Sequence, residues 1–178
     1  KLGGPDDAAC IKAIRAARPD AHLILDANCG WTFEGLREIT PALADAGVEM
    51  IEQPLPPGED DALNGYESPI PICADESCQT EASLAQLPSA YGMINIKLDK
   101  AGGLTAAYRL AAAARRRGLA VMVGNMLGSS LAMAPAFLLA QTSAYADLDG
   151  PIYLTEDCAH AMRYANGAVE PPRSELWG

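Results

Sequence analysis

The chain has 178 residues, 49% of them hydrophobic and 20% charged, with a mean hydropathy of +0.03, the balance of a sequence that buries one sizeable core. That composition excludes disorder and fibrous repeats, and no apolar run reaches the ~18 residues of a membrane span. Thirteen Lys and Arg against 23 Asp and Glu leave a net charge of -10, which disfavours nucleic acid as a partner and favours a cation.

In chain order, Asp6 to Arg18 carries Ala9, Ile11, Ala13, Ile14 and Ala17 at helical spacing and stops at Pro19. The run His22–Asp26 follows as a strand. Thr32 can cap a helix towards Ala46, with Gly47 as its terminator. Further apolar runs stand at Glu49–Glu52, Ile70–Asp75, Met93–Lys97, Leu119–Val123 and Tyr145–Asp147. Bounded by Gly, Pro or Asp, they suit strands buried on both faces. Leu104 to Arg117 reads as a helix ending at Gly118. Ser129 or Ser130 can cap an apolar stretch running to about Ala140, with Pro135 disturbing its interior.

The five cysteines (Cys10, Cys29, Cys73, Cys78 and Cys158) are odd in number and contain no C-x-x-C pair, and His22 and His160 are the two histidines. This is neither a disulfide scaffold nor a zinc-site pattern, and it points to reduced thiols in a cytoplasm, most of them packed as small hydrophobes.

Spacing sets the architecture. Asp26, Glu52, Asp75 and Lys97 close successive apolar runs at intervals of 26, 23 and 22 residues, and Lys1 lies 25 residues before Asp26. A strand-helix unit repeated at that period implies parallel strands with right-handed crossovers. A (β/α) barrel and a doubly wound sheet both satisfy it, but the glycine-rich turn expected after the first strand of the latter is absent.

In a barrel the C-terminal strand ends meet at one mouth, so Asp26, Glu52 and Asp75 would face a common centre. Three carboxylates there repel one another unless a cation neutralises them, and an all-oxygen set favours Mg²⁺ or a similar hard ion. Any one of these acids alone has an ordinary explanation as a helix cap or loop acceptor; three in register followed by Lys97 is a different matter. An ammonium beside a metal is pushed towards the pKa of a general base. Lys1, one period upstream, would stand across the mouth from Lys97. Two bases on opposite faces of one carbon suit removal of a proton from one side and its return to the other.

These residues resemble the enolase superfamily, muconate-lactonizing subgroup, and within it the dipeptide epimerases of the L-Ala-D/L-Glu type. The resemblance is carried by Lys1-Leu2, Leu25-Asp26-Ala27-Asn28, Ile51-Glu52-Gln53-Pro54, Ala74-Asp75-Glu76-Ser77, Asn95-Ile96-Lys97, Gly102-Gly103-Leu104 and Asp147-Leu148-Asp149-Gly150-Pro151. It implies an α/β fold, a TIM-like (β/α) barrel of the modified enolase type. It implies Mg²⁺ held by Asp26, Glu52 and Asp75, with Lys1 and Lys97 as the opposed acid–base pair. Asp147 and Asp149 would bind the α-ammonium group of a small dipeptide, although an Asp-Gly turn is the commoner explanation of the pair taken alone. Asn28, Gln53 and Glu76 would support the ligands. The reaction implied is epimerisation at the α-carbon of the C-terminal residue by two-base 1,1-proton transfer through a metal-stabilised enolate.

Eight units at this period need about 200 residues or more, so a barrel would here be incomplete at its N-terminal end. The chain starts at Lys1, with no Met and no targeting segment. The expectation is a partial barrel over 1–151, from the end of the second strand to the eighth, and a C-terminal segment over 152–178 that packs towards an absent capping domain. That capping domain, or the rest of the barrel, is the expected partner; a homo-oligomer is compatible, and nucleic acid and membrane are not expected. The competing readings are a cycloisomerase or o-succinylbenzoate-type synthase on the same metal triad, and an inactive fragment that needs a partner chain.

Overall fold

Short apolar runs become strands and the amphipathic stretches between them become helices in the computed structural model, which describes residues 1–178. The order is α1 (Asp7–Ala17), β1 (Leu23–Asp26), α2 (Phe33–Asp45), β2 (Val48–Glu52), β3 (Ile72–Ala74), α3 (Glu81–Gln86), β4 (Tyr91–Ile96), α4 (Leu98–Ala101), α5 (Leu104–Arg116), β5 (Ala120–Val123), α6 (Ser130–Ala140), β6 (Tyr145–Ala146), β7 (Tyr164–Ala165) and β8 (Ala168–Val169). Single 3-10 turns lie at Asp60–Leu63 and Gly150–Tyr153. The strands β1 to β6 form one sheet in chain order, and β7 and β8 form a separate pair. A doubly wound sheet reverses its strand order at a switch point. No reversal occurs here, so the sheet is a (β/α)-barrel wall with six of the eight strands of a complete barrel.

Two compact units divide the chain, one of Lys1–Cys78 with Ala85–Met93, the other of Gln79–Leu84 with Ile94–Gly178. In the first, β1 and β2 pair in parallel with Asp26 opposite Glu52, and β2 and β3 pair with Glu52 opposite Cys73. All of β3 is buried, which is why it reads as an unbroken apolar run; β2 is buried except at Glu49, which interrupts its apolar pattern. Helix α2 packs against β2 and buries Leu36 and Leu43, both 0% exposed. Thr32 caps it by accepting from the Gly35 N–H at 3.1 Å, and Gly47 ends it at φ +69°, a conformation in which a Cβ is strained. The Arg15 guanidinium donates to the carbonyls of Ala46 (2.7 Å), Ala21 (2.8 Å) and Pro19 (3.0 Å), tying the end of α1 to that of α2.

In the second unit β5 and β6 are parallel, with Val123 opposite Ala146. Helix α5 buries Ala107, Leu110, Ala111 and Ala114, and Gly118 follows it at φ +78°. A Cβ on Gly124 would lie 2.6 Å from the terminal atoms of Asn95, so the chain passes there at glycine distance. The expected serine cap of α6 is replaced. Ser129 occupies the cap position without a side-chain bond, while Asp157 accepts from the Ser130 N–H at 2.9 Å and from the Ser130 hydroxyl. A carboxylate from 27 residues away thus does what a local hydroxyl was expected to do.

All five cysteines are thiols; Cys73 and Cys78 are buried, Cys29 and Cys158 half-buried and Cys10 exposed, so burial applies to fewer of them than expected. No helix is long and apolar enough to cross a membrane.

Candidate functional site

Parallel register pairs Asp26 with Glu52, and Asp75 lies two residues beyond Cys73, the partner of Glu52. Each acid closes its strand where the apolar run gives way to a loop: Asp26 at the end of β1, Glu52 at the end of β2, and Asp75 just after β3. Glu52 is 5% exposed and Asp75 is 0% exposed, whereas Asp26 is half-buried. The ladder continues past the strands, with the Ala27 N–H donating to the Glu52 carbonyl (3.0 Å) and the Gln53 N–H to that of Cys73 (2.8 Å). The side chain of Lys1 is ion-paired with Asp26 Oδ2, and the Leu2 N–H donates to the Asp26 carbonyl at 2.8 Å. Oδ1 of Asp26 accepts from the Asn28 N–H at 2.8 Å.

The backbone turns sharply behind these acids. Asn28, Cys29 and Gln53 all have positive φ (45°, 60° and 33°), sparsely populated for residues with a Cβ. Gln53, 0% exposed, makes four hydrogen bonds at this turn. Its Oε1 accepts from the N–H groups of Asp75 (2.9 Å) and Ser77 (3.1 Å), and its Nε2 donates to the Leu55 carbonyl and to Ser77 Oγ, both at 2.8 Å. It therefore locks the backbone of Asp75 to the residue beside Glu52. Ser77 in turn donates to Asp60, which also accepts from the Tyr91 hydroxyl. Burial, then Asp60, pushes the Tyr91 phenol far above its ordinary value, so it remains a donor.

Two thiols report the charge gathered here. Burial first, then Glu52, Asp75 and Asp26, holds the Cys73 thiol well above the ordinary range. Burial and Glu76 push Cys29 up to about 11, with Asp26 and Asp75 adding to the effect. Neither is a thiolate at neutral pH. Asp26, Glu52 and Asp75 offer oxygen donors only, the ligand type that a hard cation takes. No three His, Cys, Asp or Glu side chains converge into a ready coordination sphere, so the structure brings the three acids to neighbouring strand ends without closing them round a centre.

In the second unit, Lys97 follows β4 and precedes α4, half-buried; its carbonyl accepts from the N–H groups of Lys100 (3.0 Å) and Ala101 (2.9 Å). After β6, the segment Asp147-Leu148-Asp149 alternates, with Leu148 buried and the two aspartates turned to the more open side. Asn125 fixes this turn from both ends, donating to the Asp147 carbonyl (2.6 Å) and accepting from the Gly150 N–H (3.1 Å). The Tyr153 hydroxyl donates to Asp149 Oδ2 at 3.2 Å, and the Tyr164 hydroxyl to the Leu148 carbonyl at 2.7 Å. Burial, followed by Asp157 and Asp149, raises the Tyr164 phenol to about 12. A groove of about 430 Å³ lies against this turn, lined by Asp147, Asp149 and Ile152 on one wall and by the β7–β8 hairpin on the other. Asp60, Tyr91, Tyr153 and Tyr164 carry no motif of their own and escape a reading of the sequence.

The enolase C-terminal domain-like family matches residues 1–175. N-acetyl-D-glutamate racemase of Pseudoalteromonas sp. is 51% identical over 178 residues, 100% of this chain and 56% of the relative. L-Ala-D/L-Glu epimerase of Escherichia coli (strain K12) is 50% identical over 157 residues, 88% of this chain and 49% of the relative. The chain spans about half the length of these curated relatives. Among solved structures, an enolase family member from Agrobacterium tumefaciens with homology to dipeptide epimerases, bound to sodium and L-Ala-L-Glu, superposes with a TM-score of 0.95 at 49% identity, covering 100% of this chain and 55% of its own. A dipeptide epimerase from Methylococcus capsulatus, complexed with Mg and L-Arg-D-Lys, gives a TM-score of 0.85 at 31% identity, covering 95% of this chain and 51% of its own.

Proposed function

The chain belongs to the enolase C-terminal domain-like family, and on that premise we propose that it carries the metal-binding and acid–base residues of a magnesium-dependent epimerase acting on dipeptides of the L-Ala-D/L-Glu kind. The observation that carries this reading is the register: Asp26 opposite Glu52, Glu52 opposite Cys73 two residues before Asp75, and Lys1 on Asp26. In this reading Asp26, Glu52 and Asp75 hold Mg²⁺, whose positive charge offsets the negative charge that builds on the substrate carboxylate as its α-carbon loses a proton. One lysine, as the neutral amine, accepts that proton; the other, as the ammonium, donates one to the opposite face. Inversion consumes no net proton, and exchange with water resets both groups. Which of Lys1 and Lys97 acts as acceptor depends on which epimer is bound.

Asp147 and Asp149, on the open side of their turn, are suited to a substrate ammonium group. Cycloisomerase and o-succinylbenzoate-type substrates lack that group, which leaves those two charges without a role. A second reading is racemisation of an N-acetylated glutamate, favoured by the Pseudoalteromonas relative at 51% identity. The two substrates share an N-acyl glutamate and differ in the ammonium group. Residues 1–151 would then supply barrel wall and chemistry, and 152–178 would lead towards the capping domain that completes the site.

The test measures L-Ala-L-Glu epimerisation and N-acetyl-L-glutamate racemisation by chiral chromatography, using the protein as its gene encodes it, with Mg²⁺ and after chelation. Turnover of the dipeptide is expected, lost on chelation and restored by Mg²⁺. Replacing Asp147 and Asp149 together by Asn is expected to depress the dipeptide reaction and spare that of N-acetyl-glutamate. Preference for the N-acetylated substrate would establish the second reading; turnover unaffected by chelation would overturn both.

A further inference from the structure

The residues before α1 carry Lys1, and a buried carboxylate outside the acidic set holds them. Asp7, 7% exposed, lies in the first turn of α1, where an acid commonly caps its own helix. Here it turns back instead. Its Oδ2 accepts from the Gly3 N–H (2.9 Å), both its oxygens accept from the Gly4 N–H (3.0 and 3.1 Å), and the Trp31 indole N–H donates to Oδ2 at 2.8 Å. These donors are all neutral, and a buried carboxylate accepting several of them is firmly anchored.

The same short segment is fixed on its other side. Leu2 N–H donates to the Asp26 carbonyl at 2.8 Å. A Cβ on Gly30 would lie 2.8 Å from the Ala27 carbonyl oxygen and 2.9 Å from Gly3 Cα, so the backbones at 3 and 30 touch. Gly3 itself has φ +135°. Trp31 follows the turn that begins at Asp26, so the indole bond joins that turn and the Lys1 segment through one carboxylate.

We propose that Asp7, assisted by Trp31, is a positioning residue for Lys1, setting the short segment from which the Lys1 side chain reaches the Asp26 end of the site. The inference rests on the reading of Lys1 as one of two acid–base groups. Asp7 acts through the Lys1 segment, so its loss is expected to slow proton exchange at the one face of the α-carbon that Lys1 serves. An Asp7→Asn change presents an NH₂ group to N–H donors and breaks part of the clamp while keeping the side chain's size.

The experiment measures deuterium wash-in at the α-carbon in D₂O separately from L-Ala-L-Glu and L-Ala-D-Glu, with the encoded protein loaded with Mg²⁺. Lys1→Ala identifies the epimer whose exchange depends on Lys1. Asp7→Asn is expected to slow that exchange about tenfold or more, since misplacement of a catalytic group by an ångström carries penalties of that order. Exchange from the other epimer is expected to stay within about twofold of the wild type. Trp31→Phe, which keeps the ring and removes the donor, is expected to act in the same direction more weakly, and it supplies the measurement if Asp7→Asn fails to fold. Equal loss from both epimers, the mark of a merely structural role, would overturn the proposal. Amide hydrogen exchange of residues 1–5 provides a readout independent of activity: the Gly3 and Gly4 amides are expected to exchange faster in Asp7→Asn, and unchanged protection would overturn the clamp. If wild-type exchange has no dependence on Lys1, the assignment of the site fails instead, a result the Lys1→Ala arm reports separately.

Discussion

Gln53→Ala tests the turn that sets Asp75 beside Glu52. The substitution removes four hydrogen bonds and leaves the Asp75 N–H and the Leu55 carbonyl on residues that are 0% and 1% exposed, out of reach of replacement water. The two partners at half-buried Ser77 recover in part through solvent. A buried polar group left without a partner costs about 1–3 kcal/mol, so two of them give a destabilisation on the order of 3 kcal/mol. For a domain of this size that corresponds to a fall in Tm of about 6–12 °C. Thermal unfolding followed by far-ultraviolet circular dichroism measures it. A fall of less than about 2 °C would refute the argument that this side chain, rather than the sheet ladder alone, holds the strand-end turn.

Gly124→Ala is expected to destabilise by about 1–3 kcal/mol, because the new methyl meets the Asn95 carboxamide at 2.6 Å. The same change in an Asn95→Ala background is expected to have a smaller effect, and a double-mutant cycle in urea measures the difference. At Asp157, burial raises the carboxyl's pKa, but bonds from Ser130 and Cys158 outweigh it and hold it below its ordinary value. A depressed folded-state pKa gives stability that is present above the unfolded value of about 4 and disappears as pH falls through the folded one. Acid titration is therefore expected to release the C-terminal segment from α6 below about pH 4, and Asp157→Asn to remove that pH dependence, as read by hydrogen exchange. Alkylation at pH 8 is expected to label exposed Cys10 first and Cys29, with its pKa of about 11, far more slowly; buried Cys73 and Cys78 should react after unfolding, all read by peptide mapping.

What was legible in the sequence follows from the physics of parallel sheets. Strands buried on both faces are continuous apolar runs, so the polar residue that ends each run marks the end of the sheet, and Asp26 and Glu52 stand there in register. Boundaries were blurred where a single residue breaks the pattern. The run Ile70–Asp75 yields a strand of Ile72–Ala74, since Pro71 has no N–H and joins the ladder through its carbonyl, accepting from Ile51 at 3.0 Å. β4 begins at Tyr91, earlier than the apolar run at Met93, because exposed Gly92 interrupts the apolar pattern. The β7–β8 hairpin lies outside the apolar runs, although Asn166-Gly167, with φ of 54° and 76°, is the pair a two-residue hairpin turn demands. Two-residue strands are too short to show alternation. The contacts of Asp7 with Trp31, Asp157 with Ser130 and Tyr164 with Leu148 join residues 16 to 27 apart, and no local periodicity encodes them.

The proposed service of opposite faces of one α-carbon by two lysines is decided by deuterium wash-in with the Lys97→Ala and Lys1→Ala variants, followed by NMR from each dipeptide epimer in turn. Each variant is expected to lose exchange from a different epimer, and neither is expected to interconvert them. Retention of full epimerisation in Lys97→Ala, or loss of exchange from the same epimer in both variants, would contradict it.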